Sequence, residues 1–278
     1  YFYAQCEEIR KPELKTAPVC VCVFSDRGGD SGAIATANYI ARKFGVKSGM
    51  PISFAKKRLE ERKDAVFLPV DFEHYLEISE EVMNIIKENA DIFEYVGKDE
   101  AYLDVTNRVE GNFDKASHMA QQIKNSIRDK VKLSCSIGVS SNKLIAKIAS
   151  DFRKPDGLTV VTPERVEEFL EQLKIRAIPG IGKKTEEIFT QMNFETISDL
   201  KKLDVFTLNK ELGRKHGTYI FNAVRGIDNE PVKEREASIQ YSKLATLKKD
   251  SKDYDFLAEN VIQLCRELHE VIQKNNRM

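Results

Sequence analysis

The chain is organised around the sequence Tyr95-Val-Gly-Lys-Asp99-Glu100-Ala-Tyr-Leu-Asp-Val-Thr106. Its two adjacent acids stand between short apolar runs, residues 92–96 and 101–105, and this pattern predicts two paired strands joined by a tight turn. Because neighbouring side chains of a strand point to opposite faces, Asp99 and Glu100 share one site only if the backbone bends or bulges there. Such carboxylates suit Mg²⁺, and two ions about 3.5–4 Å apart can assist a phosphoryl displacement. The alternative is a solvated acid pair at a turn.

The composition is that of an ordinary globular protein long enough for two or more domains, with 278 residues, 32% charged and 41% hydrophobic. No apolar run approaches the roughly 20 residues of a membrane span and no signal peptide is visible, so we expect a cytoplasmic protein without membrane contact. The five cysteines are scattered, which predicts free core residues and no disulfide or zinc framework.

The charge balance constrains the partners. Forty-four basic and 44 acidic residues give no net charge, so nucleic-acid binding requires basic residues gathered in one region. Six of them fall between residues 232 and 252, namely Lys233, Arg235, Lys243, Lys248, Lys249 and Lys252. We therefore expect acidic residues to face away from any nucleic acid, at Glu7-Glu8, Glu80-Glu81 and Glu167-Glu168.

The N-terminal region predicts an apolar strand at residues 17–24, a turn-rich loop at 25–32 and a helix of small residues at 33–45. Tyr39 and Arg42 are spaced i and i+3, so they share one helical face, where a phenol and a guanidinium can hold a phosphate. The alternative is an ordinary solvated polar face.

Residues 66–161 alternate between strand and helix patterns. Strands are predicted at 66–70, 133–139 and 158–161, and helices at 75–89, 113–127 and 142–152. Together with the acidic hairpin they indicate a β-α-β-β-α-β order, which is typical of a ferredoxin-like split βαβ layout with the acids at one strand end.

After residue 162 the pattern becomes helical. Ile178-Pro-Gly180-Ile-Gly182-Lys183-Lys184 is a glycine-rich bend before a helix predicted at 185–192. Backbone amides freed at Gly180 and Gly182, with Lys183 and Lys184 beside them, can bind the phosphates of a DNA backbone without reading sequence, as in helix-hairpin-helix motifs. The alternative is a plain turn between helices. A second bend is predicted at 212–217, before a helix at 219–224.

The last part of the chain predicts a polar linker at 229–237, a strand at 241–247 and a long helix at 256–274. One strand and one helix cannot close a core of their own, and the chain opens without an initiator Met. We therefore expect a sequence truncated at both ends.

Several strings, in this order, resemble the Y-family translesion DNA polymerases, the archaeal DinB type in particular. They are Tyr1-Phe-Tyr-Ala-Gln, Ala35-Thr-Ala-Asn-Tyr-Ile-Ala-Arg-Lys-Phe-Gly, Lys98-Asp-Glu-Ala-Tyr-Leu-Asp, Ser136-Ile-Gly-Val-Ser-Ser-Asn-Lys-Leu-Ile-Ala-Lys, Lys154-Pro-Asp-Gly and Ile178-Pro-Gly-Ile-Gly. The resemblance implies an α+β, multi-domain right-hand polymerase. Its parts would be a ferredoxin-like palm (1–9 and 66–161), small fingers (10–65), a helical thumb with a helix-hairpin-helix (162–228), the linker (229–237) and a partial little finger (238–278).

The resemblance also implies roles for single residues. Asp99 and Glu100 would be the catalytic palm acids that bind two Mg²⁺ ions, and Tyr3 would be the steric gate whose ring excludes a ribose 2′-OH. The incoming triphosphate would be held by Thr36, Tyr39, Arg42, Lys154 and the backbone amide of Phe2.

The implied reaction is attack of a primer 3′-OH on the α-phosphate of a deoxynucleoside triphosphate. Primer–template DNA is the implied partner of a monomeric enzyme, with a sliding clamp as a further partner bound through a tail outside this sequence.

Two features depart from the family pattern. The third metal ligand of the family is an Asp upstream of the aromatic cluster, which this sequence starts too late to contain, so we expect the 278-residue chain alone to bind metal poorly and to synthesise little DNA. Gly97-Lys98 also replaces a Ser and an apolar residue before the acids, at the rim of the metal site.

Two other classes of protein fit part of the sequence. A non-catalytic damaged-DNA-binding protein would use the glycine-rich bend and the basic linker, but it gives no role to Asp99, Glu100 or Tyr3. A nucleotide cyclase on the same kind of palm should lack the glycine-rich bend, which is present.

Overall fold

The computed structural model describes residues 1–234 and 240–275, which form two compact units. The first unit comprises Tyr1–Glu77 and Glu236–Met278, and the second comprises Ile78–Arg235. Mixed helices and strands in both units confirm the α+β class. Among the described residues, no helix is both long and apolar enough to cross a bilayer.

The first unit is built on a three-stranded sheet. Its order is β2 (Gly32–Ala37), β1 (Val19–Phe24) and β3 (Val66–Pro69), with β2 antiparallel and β3 parallel to β1. The helices of this unit are α1 (Phe2–Arg10), α2 (Tyr39–Lys43), α3 (Ile52–Arg58), the start of α4 (Phe72–Lys87), and α12 (Tyr254–Asn275). Cys20, Cys22 and Ile34 are buried in its core with Ile52 and Leu59.

The helix predicted at residues 33–45 is wrong in its first half. Residues 32–37 are strand β2, and a helix begins only at Tyr39, where the Asn38 side chain accepts a hydrogen bond from the Ala41 amide. The small residues of this segment suit either state, and hydrogen bonding to the open edge of β1 stabilises the strand. Tyr39 and Arg42 nevertheless lie on one short helix, as predicted.

The second unit contains the acidic hairpin and a series of helices. Strand β4 (Ile92–Gly97) pairs antiparallel with β5 (Glu100–Asp104), and β6 (Ile137–Ser140) pairs parallel with β7 (Leu158–Val161). The helices are the rest of α4, α5 (Phe113–Val131), α6 (Lys143–Phe152), α7 (Val166–Glu171), α8 (Lys183–Gln191), α9 (Ile197–Lys201), α10 (Val205–Leu212) and α11 (Arg214–Ala223).

One hydrophobic core joins α6 to the helices that follow it. Ile145 and Ile148 of α6 are buried in the same cluster as Leu170, Phe189 and Ile220. Helix α6 is amphipathic and begins at Asn142, whose side chain accepts a hydrogen bond from the Ile145 amide. The core therefore holds α6, which carries Lys147, against the helical part of this unit.

Other boundaries differ from the sequence prediction. Strand β6 begins at Ile137 and not at 133, and the second bend is a single residue, Gly213 with φ of 80°, because α11 already begins at Arg214. The strand predicted at 241–247 is wrong, because these residues are irregular. A strand requires a neighbouring strand to which its backbone can hydrogen-bond. Part of the predicted linker, including Arg235, lies outside the described residues. The cysteines are free as predicted, but Cys265 is exposed.

Candidate active site and nucleic-acid interface

The acidic hairpin contains the bulge that two neighbouring acids require. Tyr95 pairs with Ala101 and Gly97 pairs with Glu100, so the register shifts by one residue at the end of β4. Lys98 and Asp99 form the turn, and the Lys98 carbonyl accepts a hydrogen bond from the buried Ser79 hydroxyl at 2.5 Å. The departure from regular pairing allows both acids to serve one site.

A lysine of α6 contacts the second acid of the pair. The Lys147 ammonium forms an ion pair with Glu100 and lies 3.6 Å from Asp151, one turn further along the helix. Burial alone would lower the pKa of Lys147, but its hydrogen bond to Glu100 and the nearby Asp151 charge raise that pKa above the usual value. The Lys147 ammonium is therefore held in its charged form beside Glu100.

The donors present suit a hard divalent cation. Asp99 is exposed and the Glu100 side chain is 36% exposed, so both carboxylates are accessible. Within the described residues no group of three or more His, Cys, Asp or Glu side chains is arranged to hold a metal. Mg²⁺ commonly takes one or two carboxylates and completes its shell with phosphates and water, so Asp99 and Glu100 fit such an ion.

Lys154 lies in the loop between α6 and β7. Its ammonium pairs with Asp151 at 2.5 Å, and both side chains are 47% exposed. Asp151 thus contacts both Lys147 and Lys154. A row of alternating charges runs from Glu100 along α6 to Lys154, all within the second unit.

Tyr39 and Arg42 lie in the first unit, on α2. The Arg42 guanidinium stands 5.0 Å from the Tyr39 ring centroid, and its Nε donates to the Ala37 carbonyl at 2.9 Å. Tyr1 packs edge-on against Tyr39 with ring centroids 5.0 Å apart. The phenol and the guanidinium are therefore neighbours on one face, while Thr36 is buried in β2.

The Asn38 side chain fixes the N-terminus of α2. Asn38 was not among the site residues predicted from the sequence. Its amide nitrogen donates to the Ala17 carbonyl and to the buried Glu8 carboxylate, and its oxygen accepts from the Val19 and Ala41 amides. An Asn between a strand and a helix is a capping signal, so the local sequence carried this information.

Phe2 and Tyr3 lie in the first turn of α1. The amides of a first helical turn have no intrahelical acceptor, so the Phe2 N–H suits an anion. The Tyr3 ring stacks on Tyr75, with centroids 4.5 Å apart and planes 15° apart, and meets the edge of Phe72 at 6.2 Å.

The glycine-rich bend is held in place by buried apolar side chains and by a hydrogen bond to its backbone. Ile178 and Ile181 are buried in the core, and the Tyr219 hydroxyl donates to the Pro179 carbonyl at 2.8 Å. Gly180 has φ of +88°, a conformation that favours glycine, and Gly182 is the N-cap of α8.

The lysines of the bend begin α8. The Lys183 side chain is 82% exposed, and Lys184 is exposed beside it. The amides of the first turn of α8 and the two lysines make this end of the helix positive, which suits an anion such as a phosphate.

Comparisons with known proteins identify relatives of this chain. Residues 1–151 match the impB/mucB/samB family, and residues 176–228 match the thumb domain of DNA polymerase iota. The chain is 77% identical to DNA polymerase IV of Nitrosopumilus maritimus, over 100% of the chain and 76% of that protein. It is 46% identical to DNA polymerase IV of Methanosarcina acetivorans, over 92% of the chain and 71% of that protein.

Solved structures of DNA polymerases are also similar to this chain. A Y-family DNA polymerase chimera of Dbh and Dpo4 superposes with a TM-score of 0.87 at 36% identity, over 97% of the chain and 77% of the chimera. The insertion ternary complex of Dbh DNA polymerase gives 0.77 at 40% identity, over 84% of this chain and 67% of that one.

The fold and these relatives define a DNA-directed DNA polymerase, a nucleotidyltransferase. One family of this class bypasses damaged template bases. The chain belongs to that family, the Y-family DNA polymerases, and is of the DinB type. The alternatives of a non-catalytic DNA-binding protein and a nucleotide cyclase are therefore set aside.

Proposed function

We propose that Asp99 and Glu100 are the metal ligands of this polymerase and that the metal is Mg²⁺, bound as two ions. The observation that carries the proposal is the register shift in the β4–β5 hairpin, which leaves both acids at its turn. When bound, the ions would neutralise charge on the attacking and leaving oxygens of nucleotidyl transfer.

The remaining site residues are proposed to bind and select the nucleotide. Tyr39, Arg42, Lys154 and the Phe2 amide would hold the triphosphate, with Thr36 contributing from β2. Charged donors in fixed positions provide most of the catalysis in phosphoryl transfer, because the reaction needs positioning and charge stabilisation. Tyr3 would exclude ribonucleotides by steric contact with the 2′-OH.

We propose that the duplex is held through its phosphates by the bend at Gly180, Gly182, Lys183 and Lys184. The support is the exposed positive helix end described above together with the ternary DNA polymerase complexes among the matched structures. Deoxynucleoside triphosphates are the proposed substrates of a monomeric, cytoplasmic enzyme, and a sliding clamp is a further proposed partner. The palm, fingers, thumb, linker and little-finger bounds given above remain proposals.

The double variant Asp99→Ala/Glu100→Ala tests the metal site in the native protein. It should lose primer extension by roughly 10²–10³-fold or more, because the carboxylates that hold the charge-stabilising ions are removed. Mn²⁺ binding, measured without DNA, should weaken in parallel.

The control is Glu80→Ala/Glu81→Ala, which removes an adjacent pair of exposed acids from α4. It should leave synthesis and Mn²⁺ binding unchanged. Full primer extension by the Asp99/Glu100 double variant would contradict the assignment of these acids as metal ligands.

A further inference from the structure

Lys124 is a lysine in the apolar face of α5 that the active-site roles above do not use. Its side chain is 4% exposed. Its ammonium donates to the Asp156 carboxylate at 2.6 Å, to the Cys135 carbonyl at 2.5 Å and to the Gly157 carbonyl at 3.2 Å. An ammonium has three N–H donors, so all three are engaged, which is what a buried lysine requires.

Asp156 is held from a second side as well. Arg128, one turn further along α5, donates to its other carboxylate oxygen at 2.8 Å. Burial alone would raise the pKa of Asp156, but the Lys124 ammonium and the Arg128 guanidinium together hold it below its usual value. Two cations of one helix therefore hold the carboxylate.

The residue after Asp156 fixes the end of the same loop. The Gly157 amide donates to the Ser136 hydroxyl at 3.1 Å, and the Gly157 carbonyl accepts from the Ile137 amide at 3.0 Å. A Cβ at Gly157 would lie 2.4 Å from the Arg153 carbonyl oxygen, so the loop closes tightly on itself. Lys154 lies within this closed loop and is half exposed.

We propose that Lys124 is a positioning residue for nucleotide binding, which acts through Asp156 to fix the loop that presents Lys154 to the triphosphate. The inference rests on the proposed role of Lys154. An ion pair whose ammonium is buried, with all three of its donors engaged, resists displacement, so the loop is ordered before the nucleotide arrives. Binding then avoids the entropic cost of ordering Lys154.

The test is a double-mutant cycle on the native protein with Lys124→Met and Lys154→Ala. Lys124→Met keeps much of the apolar stem and removes the ammonium. It should raise KM for the deoxynucleoside triphosphate roughly tenfold, the size expected when a charged hydrogen bond no longer supports binding, with kcat changed less than about threefold. Equilibrium binding of the nucleotide to a complex with a dideoxy-terminated primer should weaken by the same factor.

The decisive comparison is the double variant. If Lys124 acts through Lys154, adding Lys124→Met to Lys154→Ala should leave KM within about twofold of the Lys154→Ala value. A residue that only stabilised the fold would instead give additive effects. Lys115→Met is the matched control, because Lys115 also lies on α5 and pairs with a carboxylate, that of Glu110, but is exposed.

The outcomes separate the two proposals. If Lys154→Ala raises KM and Lys124→Met adds its full effect on top, the positioning role is wrong and the role of Lys154 stands. If Lys154→Ala leaves KM unchanged, the nucleotide-binding role of Lys154 and the positioning role of Lys124 are both wrong. If Lys124→Met does not fold, Asp156→Asn tests the same Lys124–Asp156 ion pair from the loop. The effect of Asp156→Asn on KM should likewise disappear when Lys154→Ala is already present.

Discussion

Tyr3 has a rigid partner on one face of its ring. Tyr75, which stacks on it, is fully buried and donates to the Glu7 carboxylate at 2.7 Å. Burial first, then the hydrogen bond to Glu7, raises the pKa of Tyr75, so its phenol stays protonated and keeps that bond. The fixed ring of Tyr75 limits the movement of Tyr3, which is what a steric gate requires.

Tyr3→Ala should therefore relax sugar selection. In the native enzyme, incorporation of ribonucleotides relative to deoxynucleotides should rise, because steric exclusion acts on only one of the two substrates. The measurement is the ratio of the two kcat/KM values on one primer–template. Phe54→Ala, which removes an exposed ring from α3, should leave the ratio unchanged. A ratio within twofold of wild type in Tyr3→Ala would mean that Tyr3 is simply a structural aromatic residue.

Asp156 should give the protein an acid-sensitive contribution to stability. Its pKa is depressed in the folded state, so the ionised form favours folding above the unfolded pKa of about 3.9, and this contribution is lost as pH falls through the lower folded value. Wild type should thus exceed Asp156→Asn in Tm by a constant margin above about pH 5. The margin should shrink toward pH 2, as thermal melts across this range would record. A margin independent of pH would contradict the assignment.

At the scale of elements, the contact between α10 and α11 depends on Gly217. A Cβ on Gly217 would lie 2.5 Å from the carbonyl carbon and oxygen of Leu208 and 2.6 Å from the Asn209 amide. These are backbone atoms, which cannot rotate away as a side chain can. The second bend was predicted to run through Gly217, whereas this glycine lies inside α11, where it permits close helix packing.

Gly217→Ala should destabilise the protein. Alanine stabilises a helix relative to glycine by about 1 kcal/mol, but overlap of its Cβ with the backbone of α10 costs up to about 3 kcal/mol. The free energy of unfolding should therefore fall by about 2 kcal/mol. Urea unfolding would measure it. Gly97→Ala is the control, because a Cβ there meets no atom within 4 Å. Stabilisation by Gly217→Ala would show that the two helices separate easily.

At the scale of the whole molecule, the charge is distributed partly as expected. Glu80-Glu81 and Glu167-Glu168 are exposed, whereas Glu7 and Glu8 are not surface charges. Both side chains are buried: Glu7 accepts from Tyr75, and Glu8 accepts from Tyr1 and Asn38. Phenols and an amide satisfy these carboxylates, so they belong to the core of the first unit and add little to the surface charge.

Lys183→Ala/Lys184→Ala should weaken binding to every duplex alike. Lysines that bind phosphates release counterions and carry no base information, so the slope of log affinity against log salt should flatten by up to roughly one unit for each phosphate that is no longer neutralised. The measurement is a titration at several salt concentrations on two unrelated primer–templates. Lys56→Ala/Lys57→Ala, an adjacent pair on α3, controls for the removal of positive charge. A sequence preference above tenfold, or an unchanged slope, would overturn this account.

The sequence by itself determined the acidic hairpin, α5, α6 and the glycine-rich bend. Their signals are local: alternation of apolar residues, a period near 3.6 and glycines at a turn. Asp99 and Glu100 were placed correctly at a bulged turn for the same reason. These features need no knowledge of what lies across the fold.

Only the tertiary structure decided the state of residues 32–37 and the partners of the buried charges. Small residues permit helix or strand, and the open edge of β1 selected the strand. Lys124 shares the apolar face of α5 with Ala120 and Ile127, which marks it as unusual, but its partner Asp156 lies 32 residues away. Local periodicity states which way a side chain faces, whereas the folded chain determines which distant group meets it.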